Sequence, residues 1–328
     1  MFTPSVLRDR GLFYFRKGGV CMIQKPMDVL EFHEVRKTKQ QKTEFLLAAM
    51  SYAQSQRYSS KIEEGSFGCR NLVIGDPRRA KILLTAHYDT PARMWLPNFI
   101  TPKCLPVYIL YQLLLIAIGV GLGILAGNFV FFLTNMLPLS KILGYVVGLG
   151  LYLSLMLGPA NRHNANDNTS GVVTVLEILR SMPDNQRQKV AFVLFDLEEA
   201  GLLGSAVYRK AHPESARQLV INLDCVGEGD EIYLIPNKAI AANERLLDKL
   251  THMCGRWGSK ALYVHQKGLF FYPSDQMLFP KSMAVAAFRH HKFFGPYLGK
   301  IHTGKDTQLD VTNVNILRAA VISLIAAL

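Results

Sequence analysis

The feature that most constrains the fold of this 328-residue chain is a long apolar block in its middle. Between Cys104 and Asn161 the only charged residue is Lys141. The run 105–133 carries no charge and is longer than the roughly 18 residues that indicate a membrane-spanning helix. A second apolar run, 139–157, follows a turn at 134–138. The block therefore predicts a transmembrane hairpin of two helices at 105–158.

Glycine spacing in this block favours a lipid environment. Gly119, Gly123 and Gly127 recur every four residues in the first run, and Gly144 and Gly148 do so in the second. Small residues at this spacing let two helices in lipid approach each other closely. The alternative is a hairpin buried in a large protein core, which is the less favoured interpretation.

The charges beside the hairpin predict its orientation. Two spans return the chain to the side from which it started, so both flanks lie on one side. Arg93, Lys103 and Arg162 flank the hairpin, against Lys141 in its short connection. Because cytoplasmic flanks are rich in Lys and Arg, we expect the rest of the chain to be cytoplasmic. Residues 1–30 lack an uninterrupted apolar core, so no signal peptide is predicted.

Cysteine usage and net charge are consistent with that location. The five cysteines are odd in number and have no paired spacing, which suits a reducing compartment. The formal charge is +12, but the basic residues are scattered and form no nucleic-acid-binding motif. We therefore predict no nucleic-acid partner, and we attribute the positive charge to attraction toward an anionic inner leaflet.

The remainder of the chain alternates β-prone runs with amphipathic stretches. Residues 1–26 mix aromatic residues with arginines and predict no packed element. The predicted strands are 70–74, 81–86, 189–195, 216–223, 231–235, 261–264 and 283–288. The predicted helices are 40–59, 169–180, with Thr169 or Ser170 as its N-cap, 241–257 and 311–328.

This alternation implies an α/β fold with a mixed, mostly parallel central sheet and helices on both faces. The first two strands are separated by a turn signal at 75–77, so we expect them to be neighbours in the sheet. The predicted domains are an N-terminal extension (1–30), a discontinuous catalytic domain (31–104 and 159–328) and the inserted hairpin (105–158).

Residues of the types that bind zinc lie at the ends of the predicted elements. Zinc takes histidine nitrogen and carboxylate oxygen, and a catalytic site keeps a position for water. Taken singly, such residues are ordinary, and the prediction depends on their common placement at loops where functional groups gather. A carboxylate such as Asp167 can bridge two ions with its two oxygens. The candidate ligands are His87, Asp167, Glu199, Asp224 and His302.

Two of these ligands have neighbours of chemical interest. In an extended segment, residues i and i+2 point the same way, so Asp89 is placed to accept the far N–H of the His87 imidazole. Adjacent residues diverge, so Glu198 and Glu199 are not expected to bind one ion together. One of the pair can bind metal while the other holds the water.

The motifs resemble those of the co-catalytic di-zinc aminopeptidase family, which includes bacterial leucyl aminopeptidases, glutamate carboxypeptidase II and glutaminyl cyclases. The resemblance covers about residues 40–328 without the hairpin. It rests on these motifs: His87-Tyr88-Asp89, Asn166-Asp167-Asn168-Thr169-Ser170-Gly171, Glu198-Glu199-Ala200-Gly201-Leu202-Leu203-Gly204-Ser205, Asp224 and His302-Thr303.

The resemblance implies a zinc-peptidase fold with two zinc ions per chain. Asp167 would bridge both ions. His87 and Asp224 would complete one site, and Glu199 and His302 the other. Glu198 would be the general base, with Thr303 and Asp306 supporting the last ligand. The chain departs from the family at Asn164, where a glycine is frequent, and at Gln276, where a histidine is common.

The implied activity is that of an aminopeptidase that cleaves short peptides at the inner membrane surface, with the bilayer as a second partner through residues 105–158. Two alternatives use the same fold. One is a glutaminyl cyclase-like enzyme, which the complete ligand set disfavours. The other is a non-catalytic membrane receptor or scaffold, which is disfavoured because no ligand or base is missing.

Overall fold

The computed structural model describes residues 5–9, 12–17 and 19–328. Near the start of the chain, β1 (Ser5–Asp9), β2 (Leu12–Lys17) and β3 (Val20–Cys21) form an antiparallel sheet of their own. The sequence predicted no packed element over 1–26, and this differs from the observed strands. The remaining residues of that segment, 1–4, 10, 11 and 18, lie outside the described ranges.

The central layer is a mixed sheet. Its strands are β4 (Ser60–Glu64), β5 (Arg70–Ile74), β6 (Ile82–His87), β7 (Val190–Phe195), β8 (Leu219–Leu223), β9 (Glu231–Pro236), β10 (Gly255–Trp257), β11 (Lys260–Val264), β12 (Ser282–His291) and β13 (Gly295–Tyr297). They follow the order β10-β11-β9-β12-β8-β6-β7-β5-β4, and β13 pairs with β12. The central strands β12, β8, β6 and β7 run parallel to one another.

Helices cover both faces of this sheet, as predicted. The helices of the described residues, including two, α3 and α4, that do not cover the sheet, are α1 (Asp28–Phe32), α2 (Lys39–Ser55), α3 (Leu105–Thr134), α4 (Leu137–Leu157), α5 (Gly171–Ser181), α6 (Leu203–Ala211), α7 (Lys238–Ala241), α8 (Glu244–His252) and α9 (Val311–Ala327). Leu84 of β6 joins the core under α2, α5 and α9. Its neighbour Leu83 joins the core under α6. Because successive strand residues face opposite ways, a fully buried strand reads as a continuous apolar run.

The prediction that strands 70–74 and 81–86, which correspond to β5 and β6, are neighbours in the sheet is wrong. The structure inserts β7 between β5 and β6, with Leu72 of β5 opposite Leu194, and Leu84 of β6 opposite Phe192. A short connection and an apolar pattern specify that two strands exist and which faces they bury. They do not specify strand order, which depends on contacts with β7 more than 100 residues later in the chain.

Two helix predictions also need correction. The helix expected over 241–257 ends at His252, and Gly255–Trp257 forms β10 instead. Its observed start follows Asn243, whose side chain accepts a hydrogen bond from Leu246 N. Helix α5 begins at Gly171 without a side-chain cap from Ser170. The amide oxygen of Asn168 accepts the Gly171 N–H at 3.0 Å and takes that role.

The apolar hairpin consists of α3 and α4, which project from the sheet domain. Each is long and apolar enough to cross a membrane, and only 6% of its most apolar window is buried. This exposure contradicts the alternative of a hairpin buried in a protein core. The two helices meet along their glycines, where a Cβ on Gly123 would lie 2.7 Å from the Gly144 carbonyl oxygen. The predicted small-residue contact is therefore observed.

The close glycine contact predicts a local stability effect. Gly123→Val is expected to push the two helices apart and to lower the free energy of unfolding of the hairpin by about 1–3 kcal/mol. The measurement is unfolding by sodium dodecyl sulfate in mixed micelles, followed by circular dichroism. Gly150→Val is the matched control, since a Cβ there meets nothing within 4 Å. Equal stability of the two variants would contradict a tightly packed pair.

Candidate metal centre

All five predicted ligands come together at one edge of the sheet. His87 is the last residue of β6, and Asp224 directly follows β8. Glu199 lies in the loop after β7, Asp167 lies in the loop 165–170 before α5, and His302 lies in the loop before α9. Parallel strands end at a common edge, which is why residues far apart in sequence meet here.

The side chains form two groups that share Asp167. Its Oδ1 lies 3.3 Å from His87 Nε2, which lies 3.6 Å from Asp224 Oδ1. Its Oδ2 lies 3.1 Å from His302 Nε2, which lies 3.5 Å from Glu199 Oε2. In each group the ligand-type atoms lie within 4.8 Å of one another. The two oxygens of one carboxylate therefore face two separate clusters.

These separations match what zinc requires. Zinc bonds to nitrogen and oxygen are about 2.0–2.2 Å long, so ligand atoms at tetrahedral corners lie about 3.3–3.6 Å apart. The observed spacings within the two groups are close to that range. Moreover, the buried Oδ1 of Asp224 has no hydrogen-bond partner among the described residues. A buried oxygen with no partner is costly, and a cation at this position would satisfy it.

The charge balance of the cluster also favours a cation. Burial raises the pKa of Glu198, and the charge of Glu199 raises it further. Burial and the charge of Asp167 likewise raise the pKa of Glu199. Burial lowers the pKa of His87, but the surrounding carboxylates outweigh it and raise that pKa well above its ordinary value. Several carboxylates packed together without water repel one another, and divalent ions offset this repulsion.

Asp89 connects the two ligand loops. Its Oδ1 lies 3.4 Å from His87 Nδ1, on the side of the ring away from the cluster. Its two oxygens accept the backbone N–H groups of Glu198 and Glu199 at 3.1 and 3.2 Å. Leu197, with φ of 55°, turns the chain sharply before this contact. One carboxylate therefore orients the imidazole and holds the acidic pair against it.

Asp306 holds the loop that carries Asp167. Its carboxylate accepts the backbone N–H groups of Asn166 and Asp167 at 2.8 and 3.0 Å. Burial and the charge of Asp167 raise the pKa of Asp306 to about 7. Thr303 acts in a different loop, the one that carries His302, where its hydroxyl donates to the Lys300 carbonyl. The Asp306 carboxylate thus holds the Asp167 loop, and support of His302 by these two residues stays a prediction.

Arg36 is the main residue of this region that sequence reasoning missed. Its guanidinium is fully buried, and it donates to the carbonyl oxygen of Tyr88 and to Thr169 Oγ1. Burial lowers its pKa to about 10, so it stays charged at neutral pH. It thereby ties the His87 loop to the Asp167 loop. No local signal marks a buried arginine, since its partners lie 52 and 133 residues away.

The two departures from the family motif have structural roles. Asn164 donates from Nδ2 to Thr90 Oγ1 at 2.8 Å, next to the His87 loop. Gln276 accepts a hydrogen bond from Asn222 and donates to the Tyr272 carbonyl. Three other histidines are not members of the candidate metal-binding groups found among the described residues: His163, His290 and His291.

Comparisons with solved structures show the fold. The LapA aminopeptidase of Legionella pneumophila is 13% identical, with a TM-score of 0.52 over 92% of this chain and 69% of that one. The glutaminyl cyclase of Porphyromonas gingivalis is 15% identical, with a TM-score of 0.56 over 92% and 97%. That of Tannerella forsythia is 16% identical, with a TM-score of 0.51 over the same shares. No curated protein matches the sequence significantly.

The family assignment comes from the sequence profile of Peptidase family M28, which matches residues 152–324. The matched region extends from the last turns of α4 into α9 and contains four of the five candidate ligands, all except His87. It is more than half of the chain. The chain therefore belongs to peptidase family M28, a family of zinc metallopeptidases.

Proposed function

We propose that this protein is a membrane-anchored aminopeptidase that uses two zinc ions and hydrolyses short peptides. The observation that carries the proposal is the division of the ligands into two groups by the oxygens of Asp167. His87 and Asp224 complete one group, and Glu199 and His302 complete the other. This arrangement supports two metal positions in preference to one.

Glu198 is the proposed general base. It belongs to a third cluster, with His87 and Glu199, so its carboxylate lies beside ligands of both metal groups. From there it can take a proton from the attacking water and deliver it to the departing amine nitrogen. Asp89 positions it by holding its backbone N–H. Zinc held by these residues would supply Lewis acidity, which would polarise the scissile carbonyl and lower the pKa of the attacking water.

The ligand assignment predicts a change in metal content. His302→Ala is expected to lower zinc below two equivalents per chain, since it removes the only nitrogen ligand of its group. Inductively coupled plasma mass spectrometry of the dialysed protein measures this. His163→Ala is the control, because that histidine is half-exposed and lies 4.0 Å from Glu34, outside the metal groups.

Zinc stoichiometry also separates the proposal from its alternatives. Two equivalents in the parent protein support the peptidase, one favours a cyclase-like enzyme, and none favours a scaffold. Unchanged zinc content in His302→Ala would remove that residue from the ligand set.

The anchoring part of the proposal concerns α3 and α4. We propose that 105–158 is a transmembrane insertion in a discontinuous catalytic domain formed by 31–104 and 159–328. Three basic residues flank the base of the hairpin, Arg93, Lys103 and Arg162, against only Lys141 near its far end, in the second turn of α4. This difference supports a cytoplasmic catalytic domain.

Thiol labelling of intact cells tests this orientation. In a background without native cysteines, Asn135→Cys is expected to react with a membrane-impermeant thiol reagent. Lys103→Cys and Arg162→Cys are expected to react only after the cells are permeabilised. The reverse pattern would place the catalytic domain outside the cell and overturn the orientation.

A further inference from the structure

The segments around the base of the hairpin have an unusual charge pattern. Three of them, 90–104, 158–166 and 289–300, contain no Asp or Glu. They carry exposed cations together with two exposed aromatic side chains, Trp95 and Phe293, which are 101% and 80% exposed. We call the following residues the basic aromatic rim: Arg93, Trp95, Lys103, Arg162, Lys292 and Phe293. Exposed apolar side chains that are grouped together and surrounded by polar residues mark protein or membrane interaction sites.

The rim is continuous with the base of α3. The ring of Phe99 lies 5.4 Å from that of Tyr111, in the second turn of α3, and 5.5 Å from that of Phe294. Ile100 and Leu298 exchange backbone hydrogen bonds at 3.1 and 2.9 Å. The turn between β12 and β13, which carries Lys292 and Phe293, therefore packs beside the point where α3 leaves the domain.

The metal ligands lie at the same place. The backbone N–H of Met94 donates to the carbonyl of His302 at 2.7 Å. After α4, Asn161 donates from Nδ2 to the carbonyl of Thr303 at 2.9 Å. Lys37, next to Arg36, donates to the carbonyl of Met156 in the last turn of α4 at 3.1 Å. Both helices of the hairpin thus rise from the edge of the sheet that carries the candidate metal centre.

We propose that the rim lies in the headgroup layer of an anionic bilayer, so that the active site opens toward the membrane surface. Tryptophan favours the membrane–water interface, phenylalanine is common on the apolar face of segments that lie in it, and lysine and arginine are attracted to anionic headgroups. The substrates preferred by this arrangement are peptides whose N-termini lie at the membrane surface. This inference rests on the proposed membrane anchoring and adds an orientation that two spans alone do not impose.

Tryptophan fluorescence gives a direct test, because the chain has only two tryptophans. The full chain is placed in nanodiscs of phosphatidylserine and phosphatidylcholine, with or without bromine on the acyl chains next to the headgroup. In Trp257→Phe, Trp95 is the only emitter. In Trp95→Phe/Trp257→Phe, a single probe is introduced by Phe293→Trp or, as control, by Arg78→Trp. Arg78 precedes β6 and lies at the opposite edge of the sheet.

Brominated lipid is expected to remove most of the emission from Trp95 and from the probe at position 293, and little from the control. The probe at position 293 is the critical test of the proposed orientation, because this position lies far in sequence from the hairpin. If it keeps its emission in brominated nanodiscs, the proposed orientation is wrong. Equal quenching of the control probe would also overturn it, because the domain would then have no preferred face.

Activity gives a second readout on the same samples. The double variant Trp95→Ser/Phe293→Ser is expected to keep its rate on a soluble peptide and to lose most of its rate on the same peptide tethered to lipid. Equal losses on both substrates, or no loss on either, would contradict the proposal. Zinc content and hydrolysis of the soluble peptide by the parent protein test the peptidase assignment separately.

Discussion

Glu198→Gln is expected to retain both zinc ions and to lower kcat by about 10²–10⁴-fold, the range over which a positioned general base contributes to catalysis. The amide has the shape of the carboxylate, and the backbone N–H that donates to Asp89 is unchanged. The substitution therefore removes the proton acceptor and leaves the loop in place. Such a loss corresponds to about 2.7–5.5 kcal/mol of transition-state stabilisation.

Glu199→Gln provides the matched comparison. The two residues are adjacent, and both N–H groups are held by Asp89. Only Glu199 lies in the group with Asp167 and His302, 3.5 Å from the imidazole nitrogen. Its replacement is expected to lower zinc content together with activity. If Glu198→Gln hydrolyses peptides at the parent rate, or if it loses zinc as Glu199→Gln does, Glu198 is not the base.

The sequence predicts much of this molecule because its strongest signals are local. A run without charges predicts an apolar helical hairpin whatever the rest of the chain does, and α3 and α4 are the two apolar helices at the predicted position. An apolar strand followed by polar residues predicts a loop at a sheet edge. Glu199 and Asp224 are placed in this way, each beyond a buried strand, and His87 is the last residue of such a strand.

What the sequence does not predict depends on distant contacts. The position of β7 between β5 and β6 is one case, since it is decided by pairing across more than 100 residues. Arg36 is another. A single arginine in a polar stretch has no distinguishing pattern, yet in the structure it is fully buried and joins two ligand loops. The cap of α5 differs for a related reason, because Asn168 also donates to the carbonyl of Leu223, the last residue of β8.

The pairing of residues between α3 and α4 shows at which two positions the hairpin can be cut and replaced by a linker. Gly123 approaches Gly144, and Gly127 approaches Ser140, so the helices are antiparallel with a constant offset. The same offset places Tyr111 opposite Met156. Both residues also hold the base of the hairpin to the sheet domain. The Tyr111 hydroxyl donates a hydrogen bond to the Pro97 carbonyl, and the Lys37 ammonium group donates one to the Met156 carbonyl.

Under the proposed membrane anchoring, replacing residues 112–155 by about six Gly and Ser residues is therefore expected to give a soluble protein. Packed helices lie about 8–10 Å apart, and a flexible linker of this length spans about 13 Å. The closure entropy is small, because it grows by only about 0.6 kcal/mol per doubling of loop length. None of the proposed ligands lies in the removed segment.

The expected product binds two zinc ions and cleaves small soluble peptides at the parent rate. Its rate on lipid-tethered peptides should fall, because the anchor no longer concentrates enzyme and substrate on one surface. Ultracentrifugation, zinc analysis and peptide hydrolysis measure the three properties. The comparison is a second variant, in which the linker replaces all of 105–158. This variant also loses the contacts of Tyr111 and Met156. If the first variant is folded and soluble but binds no zinc, the hairpin shapes the metal centre itself and is not an independent insertion.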